Sequence, residues 1–543
     1  MGYGLPLEII SEIIGHVELR SDLYNWCLVS RATRDFATPR LFEEILVTSS
    51  SRAPIRKVAE NLRGLLQLSS KRLAHVKKFE AWCSYARDTP ESDLGELLEV
   101  LEACIEKAIR LEEFREVYFW SCFFIPQPTT APLLLQLNCL TSLSVLCPMK
   151  RNGYGFVANR AFEEQISQFK NLRSFEISNI WIPNNASARR IARVLINSPK
   201  LTHLGISLDE DRCQSWERGD DSIIAEDEDE IFFDEEEHDL EIVDYFSAIC
   251  QEFDFPTHDP STGEPVPATV FNSMPSTPLL YLRKLDLGSF CILTNHIHVL
   301  TDTSILEHIF IENGANNMFA MSSPYSFSNS ALAAMARQAP NLRSVHFGSF
   351  DYDCDATDID LRSDFPALDS FYVRDEYDGV VAELSKCGGL KGQWKRLALD
   401  NPDERVISEL DDEFHTLLSG LILKCENLTH LRVGLKWKDM PLLLSSLAKL
   451  PHLNELHLTT FLGEKPHRQS MREFLVQDIF IHHPGLQIAS MVKVDYRSRS
   501  RRVCWRRRWD GLEVVSMEEL KLLNRDGFPR MMNDPNWDDP YVR

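Results

Sequence analysis

Apolar positions along most of this chain recur with the spacing L-x-x-L-x-L, with Ile, Val or Phe standing in for Leu. The pattern appears as LTSLSV from Leu140, LRSFEI from Leu172, LTHLGI from Leu201, LRKLDL from Leu282 and LEHIFI from Leu306. It continues as LRSVHF from Leu342, LDSFYV from Leu368, LTHLRV from Leu428 and LNELHL from Leu453, while FREVYF from Phe114 and WKRLAL from Trp394 fit with an aromatic lead. Each is the length of a short strand with alternating faces. Successive starts differ by 26, 32, 29, 81, 24, 36, 26, 26, 34 and 25 residues. Helical periodicity fills the intervals: ASARRIARVLINSP before Leu201, ALAAMARQAP before Leu342, EFHTLLSGLILKCEN before Leu428 and MPLLLSSLAKLP before Leu453. Several of these end in Pro before the next strand, a helix stop. The predicted unit is helix, turn, strand. One such unit cannot bury its own faces, so neighbours must stack. In residues 47–105, IRKVAENLRGLLQLS and LGELLEVLEACIEKAIR predict helices, and LAHVKKFEAW an early, imperfect strand.

The first 45 residues follow a different period. In LPLEIISEIIGHV (5–17), Leu5, Ile9, Ile10, Ile13, Ile14 and Val17 share a helical stripe, and Pro6 suits the first turn. Ser21 or Asp22 can cap a second helix carrying Leu23, Trp26, Cys27, Leu28 and Val29. A third stretch runs to Pro39, with Leu41, Phe42 and Ile45 after it. Three short helices bury too little surface to be robust alone, yet the first is apolar around more than half its circumference. Its apolar surface meets either another chain or the downstream domain.

The segment LPLEIISEIIGHVELRSDLYNWCLVSRATRDFATPRLFEEI resembles the F-box motif in its fungal form. The resemblance covers residues 4–46: the Leu-Pro-x-Glu-Ile opening, the Ile-Ile pair, Asp22-Leu23, Leu28-Val29-Ser30-Arg31 and Leu41-Phe42. The Tyr24-Asn25 pair departs from it. The resemblance implies docking on a Skp-family linker protein, and through it on a cullin, in an SCF-type ubiquitin ligase. Implied contacts are Leu5, Pro6, Ile9, Ile10, Ile13, Leu28, Val29, Leu41 and Phe42. The later pattern resembles an irregular leucine-rich repeat over about 105–490, although the Asn or Cys usual after the third apolar position is mostly absent. F-box followed by leucine-rich repeats is a known family layout. The expected fold is α/β: a three-helix F-box (1–46), a helical connection or start of the array (47–105), repeats (106–208 and 281–490) divided by an insertion (209–280), and a basic C-terminal segment (491–543).

The insertion is also legible as charge. Residues 209–241 hold 17 Asp or Glu and 2 Arg, a balance of −15 within a chain of net −23. Such like-charge density predicts a solvated, disordered loop. Prolines at 256, 260, 265, 267, 275 and 278 extend it. The interval of 81 residues falls across it. At the other end, KVDYRSRSRRVCWRRR (493–508) has eight Lys or Arg against one Asp, with Tyr496 and Trp505 interleaved. That composition fits either phosphate binding and base stacking or edge strands with arginines on the wet face. Overall acidity disfavours general nucleic-acid binding.

Alternation within the strands sends a second set of residues to the opposite face: Glu176, Ser178, Gly205, Ser207, Asp286, Gly288, Phe310, Glu312, His346, Gly348, Tyr372, Arg374, Asp400, Arg432, Gly434, His457 and Thr459. Phe310, His346, Tyr372, Arg374, Arg432 and His457 are the expected substrate-binding residues, because exposed aromatics and Arg dominate binding energy. No phosphate loop, dinucleotide fingerprint, nucleophile elbow or HExxH motif occurs. The acid run 351–360 has Ala356 and Arg362 where a calcium loop needs Gly and Glu. His296 with His298, and His482 with His483, lack nearby ligands, so no metal site and no cofactor are expected. Thirteen scattered cysteines without C-x-x-C suit reduced thiols inside the cell, cytoplasmic or nuclear. No membrane-spanning run occurs. The expected function is a non-catalytic substrate adaptor of a ubiquitin ligase that captures a protein substrate. The alternative is an F-box-containing scaffold without a role in ubiquitin transfer.

Overall fold

The computed structural model describes residues 5–17, 20–49, 55–68, 70–83, 91–118, 130–146, 149–152, 155–158, 165–180, 185–208, 280–287, 301–311, 339–347, 367–373, 394–399, 412–436, 440–461, 477–494, 503–508 and 511–515. The chain divides into two compact units, the first spanning Met1–Leu306 and the second taking up the chain at Glu307.

The first unit opens with α1 (Leu7–Gly15), α2 (Arg20–Val29) and α3 (Arg31–Leu41). Ser30 caps α3: its Oγ accepts from the Thr33 amide, while the Ser30 amide donates to Thr33 Oγ1. The second helix begins at Arg20, so Ser21 and Asp22 lie in its first turn instead of capping it. The third continues through Pro39 to Leu41, although a proline there removes one amide donor from the helix.

Seven parallel strands follow, each paired to the next: β1 (Glu44–Ser49), β2 (Lys78–Cys83), β3 (Glu113–Tyr118), β4 (Ser142–Leu146), β7 (Ser174–Ile180), β8 (His203–Leu208) and β9 (Lys284–Leu287). A two-stranded antiparallel ribbon, β5 (Met149–Asn152) with β6 (Gly155–Ala158), stands apart from them. Three predicted helices appear, α4 (Ile55–Leu68), α6 (Glu91–Lys107) and α8 (Asn185–Ile196), together with two that were not expected, the single-turn α5 (Ser70–Leu73) and α7 (Thr130–Leu135).

The second unit repeats the scheme. Seven parallel strands, β10 (His308–Ile311), β11 (Ser344–Phe347), β12 (Ser370–Val373), β13 (Arg396–Leu399), β14 (His430–Lys436), β15 (Glu455–Phe461) and β16 (Ile488–Val494), are joined in order. Helices α9 (Asp412–Lys424) and α10 (Met440–Leu447) precede β14 and β15. An antiparallel pair, β17 (Val503–Arg508) and β18 (Gly511–Val515), ends the sheet.

A single backbone device repeats through both units. The carbonyl of the residue immediately before one strand accepts two consecutive amides from the next repeat: Thr202 and His203 to Arg173, Arg283 and Lys284 to Thr202, Thr429 and His430 to Lys395, Asn454 and Glu455 to Thr429. Where the motif reads Leu-Thr, the Thr hydroxyl joins the same carbonyl, as at Thr141, Thr202 and Thr429. Lead and second apolar residues are buried throughout, from Val76 and Phe79 to Leu486 and Ala489. Aromatics at these positions stack across repeats, with ring centroids 6.1 Å apart for Phe79–Phe114 and 5.3 Å for Phe371–Trp394.

Strand pairing corrects the phase in one place. Phe114 pairs with Leu143, the second apolar position, so Leu111 leads that repeat instead of Phe114. With that phase the pattern extends to Val76-x-x-Phe79 and to Phe42-x-x-Ile45, since Ile45 pairs with Phe79. The sheet therefore begins at Glu44, inside the segment that the motif resemblance assigns to the head. The helix expected before Leu342, the acidic run 351–360 and nearly all of the insertion 209–280 lie outside the described residues.

Candidate functional site

The helical head splits its apolar residues between two faces. Ile14, Leu23, Cys27 and Ala37 form a small buried core, against which Ile10, Val17, Trp26, Phe36 and Leu41 pack. One helical step round, Leu7, Ile9 and Ile13 stand exposed on α1, with Leu5 exposed just before it, as do Tyr24, Leu28 and Val29 on α2. Leu5 retains 59% of its accessible surface, Leu28 63% and Val29 68%. Leaving so many large apolar side chains in water forgoes on the order of 1 kcal/mol for each. Of the nine residues the motif resemblance points to, Leu5, Pro6, Ile9, Ile13, Leu28 and Val29 are exposed. Ile10 and Leu41 pack on the head's own core, and Phe42 lies beneath the Arg72 guanidinium, 5.2 Å from its centroid.

Glu43 joins this head to the first strands. Its carbonyl accepts the Lys77 and Lys78 amides at 2.8 and 3.0 Å, and its carboxylate meets Lys77 and Arg40. Burial alone would raise that carboxyl; Lys77 and Arg40 hold it below the usual value.

The polar face of the strands differs from expectation. Phe310, His346, Tyr372, Arg432 and His457 do lie on one face, in register across β10, β11, β12, β14 and β15. They are not exposed anchors: Tyr372 retains 5% of its surface, Arg432 1% and His457 none. Parallel strands stand about 4.8 Å apart, so large side chains in register cover one another. Phe310 meets His346 edge-on at 4.1 Å and His346 lies 5.7 Å from Tyr372. Burial pushes the Tyr372 phenol up to about 12, against the pull of Arg396 and Ser370. Glu455 lies 3.6 Å from His430 and 3.4 Å from His457. Burial lowers His430, and Arg396 and His457 lower it further, while Glu455 opposes. Arg374 lies outside the described residues.

In the first unit the same face carries a charged ladder. Lys78 lies between Glu44 (3.8 Å) and Glu113 (2.7 Å), and Arg115 between Glu80 and Glu176, 3.9 Å from each. Glu176 also accepts from Ser144 at 2.9 Å and meets His203 at 3.0 Å. Burial would raise the Glu176 carboxyl, but His203 and Arg115 hold it well below the usual range. Glu176, His203 and Asp286 bring ligand-type atoms within 4.8 Å of one another. No metal site was expected from sequence, because these residues are 27 and 83 positions apart; the register of outward positions is the signal that joins Glu176 to Asp286, and His203 was not among those positions.

Part of the basic C-terminal run has a structural task. Arg507 donates to the carbonyls of Leu486, Phe480 and His483, and its guanidinium lies 5.2 Å over the Phe480 ring. Of the histidine pairs, His482 is exposed beside Asp478 and His483 is buried; His296 and His298 lie outside the described residues. No helix among the described residues is long and apolar enough to cross a membrane.

No family model matches this chain, and no curated protein is significantly similar to it. Among solved structures, the chain is similar to the yeast Rad7 and Elc1 complex at 16% identity over 86% of this chain and 97% of that one, with a TM-score of 0.34. A protein from Bacteroides fragilis matches at 13% identity over 84% of this chain and 74% of that one, with a TM-score of 0.20. Neither match is strong enough to carry an argument about fold or function.

Proposed function

We propose that this chain is a non-catalytic adaptor of an SCF-type ubiquitin ligase, its helical head docking on a Skp-family linker and its strand array holding a protein substrate. The observation that carries this reading is the row of exposed apolar side chains on α1 and α2, in a segment whose sequence resembles the F-box. A head that satisfies only one face of its helices is completed by a partner helix that covers the other. Ubiquitin transfer belongs to other subunits, and this chain contributes proximity. The buried Phe310, His346, Tyr372, Arg432 and His457 order the array, so substrate contact falls to other surfaces.

Affinity purification of the intact chain beside one lacking the three head helices, residues 1–41, tests the reading. Linker and cullin should co-purify with the intact chain alone, whereas substrates should be retained by both. Linker without cullin would favour a scaffold with no ubiquitin-transfer role. Retention of the linker after deletion would overturn the assignment of the head.

A further inference from the structure

We propose that Glu176, His203 and Asp286 form a divalent transition-metal site, with Zn²⁺ as its occupant, that staples β7, β8 and β9 together. The three residues come from consecutive strands, and their donor atoms lie within 4.8 Å of one another. One imidazole nitrogen and two carboxylate oxygens suit Zn²⁺. Tetrahedral ligands at about 2.0–2.1 Å from a metal stand roughly 3.3 Å from one another. His203 Nε2 and Glu176 Oε1 are already 3.0 Å apart and an Asp286 oxygen lies within 4.8 Å of both, so closure asks that oxygen to approach by at most about 1.5 Å.

Outer contacts orient the ligands as metal sites require. Ser174 Oγ lies 2.9 Å from His203 Nδ1, a hydrogen bond that engages that nitrogen and leaves Nε2 facing Glu176. Ser144 and Arg115 hold the other Glu176 oxygen, Oε2, and leave Oε1 for the centre. Gly205 pairs in register with both Glu176 and Asp286, and a Cβ there would stand 2.8 Å from Glu176 Cγ. Its missing side chain lets the two carboxylates converge. Glu176 and His203 keep 12% and 16% of their side chains accessible, which provides entry for an ion.

The position also has a folding rationale. His203 and Asp286 flank the longest interval in the repeat pattern, so β8 and β9 are the neighbouring strands farthest apart in sequence. A metal that grips both ties them together directly.

The test uses the full chain after chelator treatment. Isothermal titration with ZnCl₂ should show one site per chain, with a rise in melting temperature. Co²⁺ in its place should give the d–d absorption of a bound, low-symmetry ion. H203Q and D286N should each weaken the site at least tenfold and remove both the Co²⁺ band and the thermal rise that metal gives over the same chain in chelator. If either variant fails to fold by circular dichroism, the parent decides: no Co²⁺ band and no thermal rise overturn the proposal. Binding that survives H203Q and D286N unchanged, as at the acidic run 209–241, also overturns it.

Discussion

Gly205 has room for a hydrogen and little more. Gly205→Ala places a methyl group 2.8 Å from Glu176 Cγ, and the carboxylate cannot withdraw without disturbing its contacts with His203 and Ser144. The expected cost is about 1–3 kcal/mol, measured by denaturant titration against the parent. Two histidines set a pH dependence. Burial lowers His430 and His483 below 6.5, so the unfolded chain binds more protons as pH falls through that value. Their contribution is whole above about 6.5 and is lost on acidification towards their folded values. Melting temperature should therefore fall between pH 7 and 5, and less steeply in a H430Q/H483Q chain; an unchanged slope would contradict the assignment. Burial also pushes the Cys104 thiol up to about 11 and Cys425 to about 12, whereas Cys139 is exposed. Iodoacetamide at pH 8 should label Cys139 and leave Cys104 and Cys425 unlabelled in the folded chain, as read by peptide mass spectrometry.

At the scale of elements, Arg507 acts as an end cap within a stretch that reads in sequence as either a phosphate-binding patch or edge strands with arginines on the wet face. Its guanidinium joins the antiparallel β17 to the carbonyls that close the preceding repeat. Arg507→Lys keeps the charge and loses the fork, so local hydrogen exchange in 503–515 should accelerate at least tenfold if the geometry matters. Exchange unchanged from the parent would return Arg507 to the solvent-facing role. The strands themselves were legible because their apolar leads keep a fixed offset to the strand that follows. Val76, Leu111 and Leu486 escaped because Ala81, Glu116 and Ala489 stand at later apolar positions of their repeats, and Phe42 because its run falls within the head segment; pairing register, not composition, reveals them. The shared face of Phe310, His346, Tyr372, Arg432 and His457 was also legible from alternation. Their burial was not, because mutual cover between neighbouring strands is a property of register at strand spacing and of long side chains, neither of which a single strand displays. The head divides in the same way. Its helices follow from period and punctuation, but only packing shows that Ile10 and Ile14 turn inward while Ile9 and Ile13 remain in water.

At the scale of the molecule, a head with a four-residue core is attached to a repeat array that contains most of the buried apolar surface. Ile14→Ala, inside that core, should lower stability by about 2–4 kcal/mol. Substitutions at Ile9 and Leu28 reach no buried neighbour cluster and should leave stability within about 0.5 kcal/mol of the parent. That contrast separates folding of the head from docking by it. The most direct measurement is titration of a purified Skp-family linker into the full chain, parent beside an I9D/L28D variant whose melting matches it. The account predicts a one-to-one complex for the parent and at least a hundredfold loss of affinity for the variant. Equal affinity in both chains, or no complex with either, would contradict it.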